Sequence, residues 1–133
     1  MRFFARLEGR QSVPPVDTAA SGEAVFQLLS NRTQLFFRLN VNSISNLTVA
    51  HIHLGRRGTN GPIVAPLFSA SPGISVNRGQ ISGTINRQDL TGPLEGRTLE
   101  DLIEAMAAGN TYVNAHTEQN PEGEIRGQIR KVD

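Results

Sequence analysis

The sequence predicts an all-β fold, either an antiparallel Greek-key β-sandwich or a flattened barrel, with one short helix near residues 98–108. Most segments alternate apolar and polar residues with the period of two that half-buried strands require, and 13 glycines and 7 prolines supply turns between them. Only one segment has a helical period, so the crossover helices of a parallel sheet are missing. The length of 133 residues fits a single domain spanning residues 1–133.

The alternating segments divide the chain into predicted strands. Phe3, Ala5 and Leu7 share one face of the first strand. Residues 23–30 and the apolar face from Leu35 to Val41 predict a hairpin across the polar turn at residues 31–33. Further strands are predicted at residues 47–54, 63–68, 79–86, 111–117 and 124–130, and residues 55–62 form a glycine-rich loop.

The one predicted helix has clear start and stop signals. Thr98 is suited to cap its N-terminus, and Glu100 and Asp101 place negative charge in the first turn. Gly109 is suited to end it. The apolar stripe of the helix consists of Leu99, Leu102, Ile103 and Met106.

Composition excludes several classes of function. The 13 basic and 12 acidic residues are mixed along the chain, so no basic surface for nucleic acid is expected. No cysteine is present, which removes disulfides, thiolate metal sites and cysteine nucleophiles. No apolar segment approaches the length of a membrane span, and no signal peptide is evident. We therefore expect a soluble protein without nucleic-acid or membrane partners, either cytoplasmic or extracytoplasmic with its leader removed.

The three histidines are the strongest sign of a functional site. His51 and His53 lie two residues apart in one predicted strand, so their imidazoles project from the same face about 7 Å apart. His116 lies in another strand. If the intervening aliphatic residues face the core, all three histidines lie on the outer surface of their sheet, together with Asn114 and Arg126. The loop of residues 55–62 is placed to fold over them there. Three imidazoles predict a surface site for one copper or zinc ion with an open fourth position.

Other polar residues near His116 have weaker interpretations. Asn114 is a candidate for orienting an imidazole, and Arg126 is a candidate anion contact. Three acidic residues in the same region, Glu118, Glu122 and Glu124, are expected to form a solvated polar turn. The alternative to metal binding is that the histidines hydrogen-bond loop carbonyls or lie solvated.

Three sequence blocks resemble the CHRD domain family, which is named after chordin. They are residues 4–16, residues 50–64 with the motif Ala-His-Ile-His-Leu-Gly, and residues 112–127 with Asn-Pro-Glu-Gly-Glu-Ile-Arg-Gly. The chain resembles the stand-alone bacterial members of the family. Ser12 departs from the acidic residue that commonly precedes Val-Pro-Pro in the family. The resemblance implies a superoxide-dismutase-like or immunoglobulin-like sandwich, and it implies no particular activity or growth-factor partner.

The order of His51, His53, His116 and Arg126 also resembles that of copper,zinc superoxide dismutases. A fourth histidine to bridge two metals and a second set of zinc ligands are missing. We therefore expect a non-enzymatic binding module more than a redox metalloenzyme. A metal-free structural or protein-interaction module is the third hypothesis. The physiological partner is open, and sandwich edges would allow a homodimer.

Overall fold

The computed structural model describes residues 1–132 and is built mainly of β-strands. The strands are β1 (Arg2–Glu8), β2 (Ser21–Leu28), β3 (Leu35–Leu54), β4 (Ile63–Ile85), β5 (Thr111–Thr117), β6 (Ile125–Gln128) and β7 (Arg130–Lys131). The described residues contain one α-helix, α1 (Leu99–Ala107), and short 3-10 helices at Gly9–Gln11, Arg87–Asp89 and Gly92–Leu94. Every strand pairing is antiparallel, which confirms the predicted all-β class.

The strand pairings close into a barrel-like ring. β1 pairs with β2, β2 with β3, β3 with β5, β5 with β6, and β6 returns to β1. The spatial order β6-β1-β2-β3 is that of a Greek key whose fourth strand returns after β4 and β5. β4 pairs along the whole of β3, and β7 pairs with β1. This topology brings β3 and β5, the two histidine-bearing strands, side by side.

The hairpin of β3 and β4 is longer than the sequence predicts. Four separate strands were expected in this region, whereas the structure has one strand of 20 residues and one of 23 residues. Ser43 and Asn46 adopt positive φ angles of 53° and 57°. These conformations and the register shifts beside Leu47 bend β3, so its first half pairs with β2 and its second half with β5. The bend interrupts the alternation on which the sequence prediction depends.

The predicted core faces are confirmed. Phe3, Ala5 and Leu7 are buried, and so is the apolar face of β3 from Leu35 to Val41. In the histidine-bearing strands the buried aliphatic residues are Ala50, Ile52, Val113 and Ala115. The histidines therefore lie on the side of the sheet opposite the barrel core.

Helix α1 forms as predicted. Thr98 accepts a hydrogen bond from the backbone N–H of Asp101, and the Asp101 carboxylate accepts one from the Thr98 N–H. The chain leaves the helix at Gly109, whose φ of 73° suits glycine. The four residues of the predicted stripe, Leu99, Leu102, Ile103 and Met106, are all buried.

No helix among the described residues is long and apolar enough to cross a bilayer.

Candidate metal centre

The three histidines meet on the outer side of the sheet formed by β3 and β5. His51 and His53 project from β3, and His116 from β5 lies opposite Val49, two residues before His51. The ring centroids form a near-equilateral triangle, with separations of 5.9 Å, 5.6 Å and 6.0 Å. Residues 65 positions apart in the chain are thus brought together because their strands pair in this register.

Two of the imidazoles are held by backbone carbonyls. His53 Nδ1 lies 2.9 Å from the Gly61 carbonyl oxygen, and His116 Nδ1 lies 2.7 Å from the Pro121 carbonyl oxygen. A carbonyl only accepts, so each Nδ1 must carry the proton and donate it. In the neutral ring this leaves a lone pair on each Nε2. The two carbonyls therefore fix the tautomer in which Nε2 carries the free lone pair.

Three other nitrogen atoms of the cluster have no partner among the described residues. His53 Nε2, His116 Nε2 and His51 Nδ1 are all buried and make no hydrogen bond with the described residues. Buried polar atoms are seldom left without a partner, and each one costs about 1–3 kcal/mol. Three atoms of this kind occur together in the histidine cluster.

The distances suit a single ion after a small adjustment. One ligand nitrogen from each histidine lies within 4.8 Å of the other two. An ion bound tetrahedrally to three imidazoles, with bonds of about 2.0–2.1 Å, places the nitrogens roughly 3.4 Å apart. The nitrogens therefore have to approach one another by up to about 1.4 Å per pair to reach that spacing.

Burial favours the neutral form of two of the imidazoles, those of His51 and His53. Burial lowers the pKa of His51 to about 4, with further lowering from the nearby His116 and His53. Burial also lowers the pKa of His53, although its hydrogen bond to the Gly61 carbonyl acts in the opposite direction. Metal ions bind the neutral form of histidine, so the lowered pKa values favour a metal ligand over a proton.

The lowered pKa of His51 predicts a pH dependence of stability in the metal-free protein. The unfolded chain takes up a proton at His51 near the ordinary pKa of 6.5, whereas the folded chain does so only near 4. The stability that comes from the lowered pKa of His51 is fully present above pH 6.5 and is lost as the pH falls toward 4. Below pH 4 this residue causes no further change in stability. Urea denaturation across this range should show a shallower fall in the free energy of unfolding for His51→Gln than for wild type. Parallel curves would contradict the prediction.

Tyr112 and Arg126 form a stack behind His53. The Tyr112 ring lies parallel to the His53 imidazole at a centroid distance of 4.8 Å and an interplanar angle of 12°. The Arg126 guanidinium lies 3.4 Å from the Tyr112 ring centroid on a cation–π contact. The Tyr112 hydroxyl accepts a hydrogen bond from the Gly61 N–H. His53 is thus held by the ring stack and by the residue-55–62 loop.

Arg126 holds the residue-55–62 loop over the sheet. Its guanidinium donates to the carbonyl oxygens of Arg56 and Thr59 at 3.0 Å and 2.8 Å, and to Asn60 Oδ1 at 3.1 Å. The Arg126 side chain was expected on the outer surface, but it is only 2% exposed. The loop covers it, and His53 is 7% exposed for the same reason. This half of the cluster therefore lies on the outer side of the sheet but beneath the residue-55–62 loop.

Gly61 allows the covering loop to approach the strand. A Cβ at this position would lie only 1.7 Å from the Leu54 carbonyl oxygen, which no side chain tolerates. The close approach aligns the Gly61 carbonyl with His53 and the Gly61 N–H with Tyr112. Gly61, in the predicted glycine-rich loop, therefore also positions a histidine.

Asn114 is buried beside the histidines, but its predicted role in orienting an imidazole stays a prediction. It lies opposite His51 on β3 and opposite Arg126 on β6. Its Oδ1 has no hydrogen-bond partner among the described residues. Gly123 packs against the Asn114 amide, where a Cβ would come within 2.3 Å of Oδ1. The side chain therefore fills the space between β5 and the turn before β6.

Glu124 is a buried residue that the sequence analysis missed. Glu118 and Glu122 are exposed as expected, but Glu124 is 4% exposed. Its carboxylate accepts hydrogen bonds from four side chains at 2.7–3.0 Å, those of Thr18, Thr117, Gln119 and Asn120. Burial raises the pKa of Glu124, whereas the hydrogen bonds from these four side chains lower it. Together the hydrogen bonds have the larger effect, so the pKa lies below its ordinary value. The four donors around the acid were not recognisable as neighbours from the sequence alone.

Replacing Glu124 with glutamine should destabilise the protein by about 1–3 kcal/mol, because the new amide turns a donor toward existing donors. Urea denaturation at pH 7 measures the loss. Since the folded pKa is lowered, the stabilisation is present above the unfolded pKa and is lost as the pH falls through the folded pKa. Glu122→Gln, in the exposed part of the same turn, is the matched control and should change stability little. An equal effect of both variants would contradict the buried-acceptor role.

A known protein family matches nearly the whole chain. The family model described as the CHRD domain matches residues 3–129. No match is found among curated proteins. The matched range includes all three histidines, Arg126 and the loop between β3 and β4.

Proposed function

The chain belongs to the CHRD domain family, and we propose that it is a binding module that holds one copper or zinc ion on His51, His53 and His116. The single observation that carries the proposal is the group of three buried imidazole nitrogens without a protein partner. Bound metal would give each of them a partner. The carbonyls that fix His53 and His116 resemble the outer hydrogen-bond partners that orient histidine ligands in metal sites.

The donor set favours copper or zinc over harder ions. The cluster offers three imidazoles, and it includes no carboxylate or thiolate of the described residues. Calcium and magnesium require oxygen ligands, whereas imidazole suits zinc and copper. Three protein ligands leave a position for water or a small exogenous ligand. The proposed ligand atoms are His51 Nδ1, His53 Nε2 and His116 Nε2.

Metal analysis of protein purified without a polyhistidine tag tests the proposal. After dialysis against zinc or copper and removal of free metal, we expect one ion per chain. Metal at 100 times its dissociation constant should add about 2.7 kcal/mol to the free energy of unfolding. A thermal shift with zinc or copper, but none with magnesium or calcium, is the expected selectivity. Substoichiometric metal with no shift would reject the proposal.

A metal-free role for the histidines is the second candidate. The observation that favours it is that His53 and His116 each donate a hydrogen bond to a loop carbonyl. Under this alternative the histidines organise the loops and bind no ion. Metal analysis of the wild type and of His116→Ala separates the two roles, because the metal-free role predicts no metal in either of these proteins. The metal-free role also predicts loop disorder in His116→Ala. The unpartnered nitrogens on the other side of each ring favour the metal site.

A further inference from the structure

The outer face of β1, β2 and β3 carries a second feature that the histidine site does not use. Strand register places Phe4 opposite Val25, Val25 opposite Arg38, and Gln27 opposite Phe36. These positions alternate with buried core residues on the same strands. Phe4, Val25 and Phe36 therefore form an apolar patch on the outside of the barrel, which we call the β1–β3 face.

The apolar patch lies in a groove with a volume of about 340 Å³. Val25 is 38% exposed and Val132 is 45% exposed, so two of the five most exposed large apolar side chains line the same groove. Exposed apolar residues are ordinary when scattered, whereas clustering of this kind marks interaction sites. The groove is therefore a candidate for contact with another molecule.

The charged side chains that line the groove are both basic. Arg2 and Arg38 line it, and the Arg130 guanidinium lies 5.6 Å from the Phe4 ring centroid. No acidic side chain lines the groove among the described residues. The chain as a whole has a net charge of only +1, so this concentration of arginine is local. Arginine binds carboxylates with paired, planar hydrogen bonds, which complements an acidic partner.

We propose that the β1–β3 face docks a segment of a partner protein in which an apolar side chain is flanked by aspartate or glutamate. The apolar side chain would lie over Phe4, Val25 and Phe36, and the carboxylates would reach Arg38 and Arg130. Both edges of β2 are already paired, so the partner binds on the face and adds no strand at this position. An open sheet face suits a polypeptide better than a small molecule, because small-ligand sites enclose most of their ligand.

The binding of a model peptide tests this proposal independently of the metal site. The probe is acetyl-Glu-Phe-Glu-Leu-Glu-amide, and its counterpart carries lysine in place of each glutamate. Titration into ¹⁵N-labelled, metal-free protein should shift the amide signals of the β1–β3 face with the acidic peptide only. Because Arg–carboxylate contacts contribute, the affinity should fall as salt rises.

Matched variants locate the binding. Val25→Gln and Arg38→Glu should each weaken the acidic peptide by tenfold or more. Ile74→Gln and Arg78→Glu change exposed residues on β4, where Ile74 is 40% exposed, and each should change the affinity less than twofold. Circular dichroism confirms that all four variants fold.

Four results would overturn the proposal. They are equal binding of the basic peptide, shifts that map elsewhere, an effect of the β4 variants equal to that of the β2 and β3 variants, and absence of peptide binding. In the last case, binding of laurate at the same residues assigns the face to small amphiphiles. If the protein self-associates with rising concentration and Arg38→Glu abolishes this, the β1–β3 face instead binds a second copy of this chain.

Discussion

Replacing His53 with alanine is expected to reduce affinity for zinc and copper by more than about 100-fold, because changes to residues that only support a ligand already cost 10- to 100-fold. His53 is the most buried histidine of the cluster, with Nδ1 held by the Gly61 carbonyl and Nε2 buried without a partner among the described residues. Isothermal titration of metal into the apo-protein measures the loss. His116→Ala should have a similar effect, and the two losses should not add, since either variant leaves only two ligands.

Val49→Ala is the matched control for this experiment. Val49 lies on the same outer side of β3 as His51 and His53, directly opposite His116. Its removal changes packing beside the cluster without removing a ligand, so the affinity should change less than tenfold. Wild-type affinity in His53→Ala, with its fold intact by circular dichroism, would remove His53 from the ligand set.

Replacing Arg126 with methionine is expected to release the residue-55–62 loop and destabilise the protein by about 2–4 kcal/mol. The variant loses three hydrogen bonds from a charged donor, each worth about 1.5–3 kcal/mol, but the released loop oxygens regain water. Hydrogen exchange should show lost protection of the Gly61 amide, which donates to the Tyr112 hydroxyl. Metal affinity should fall by about 10- to 100-fold, because Arg126 supports Tyr112 and through it His53.

Arg57→Met provides the comparison for Arg126. Arg57 lies in the same loop, is exposed, and donates one side-chain hydrogen bond, to Gln11. Its replacement should change stability by less than about 0.5 kcal/mol and leave metal affinity unchanged. If Arg126→Met behaves like Arg57→Met in stability and exchange, the loop does not depend on the guanidinium. If it loosens the loop but leaves metal affinity intact, the stack does not support the metal site.

The alternation of residues predicted which face of each strand is buried, but it did not predict what covers the other face. Ile52 and Val113 face the core, and the histidines point away from it, as the period of two requires. Burial of His53 and Arg126 depends on a loop that folds back over the sheet. Loop conformation is set by tertiary hydrogen bonds, and a residue such as Arg126 binds main-chain oxygens 67–70 positions away. No local pattern records these contacts.

The limits of the strand prediction have a similar cause. The segment between Phe68 and Gly79 is polar and largely exposed, because β4 borders the sheet and pairs on one side only with β3. An edge strand has little apolar periodicity to detect. Glu124 shows the opposite case, in which a charged residue of a polar turn is buried. Its carboxylate accepts hydrogen bonds from four side chains that come from two separate segments of the chain. Local composition predicts exposure there, and the tertiary structure reverses it.

The crystal structure of zinc-loaded protein, with anomalous diffraction collected at the zinc edge, tests the metal site most directly. We expect one anomalous peak about 2.0–2.1 Å from each of His51 Nδ1, His53 Nε2 and His116 Nε2. The hydrogen bonds from His53 to Gly61 and from His116 to Pro121 should be retained. An empty cluster at saturating zinc, or an ion bound elsewhere on the chain, would contradict the account.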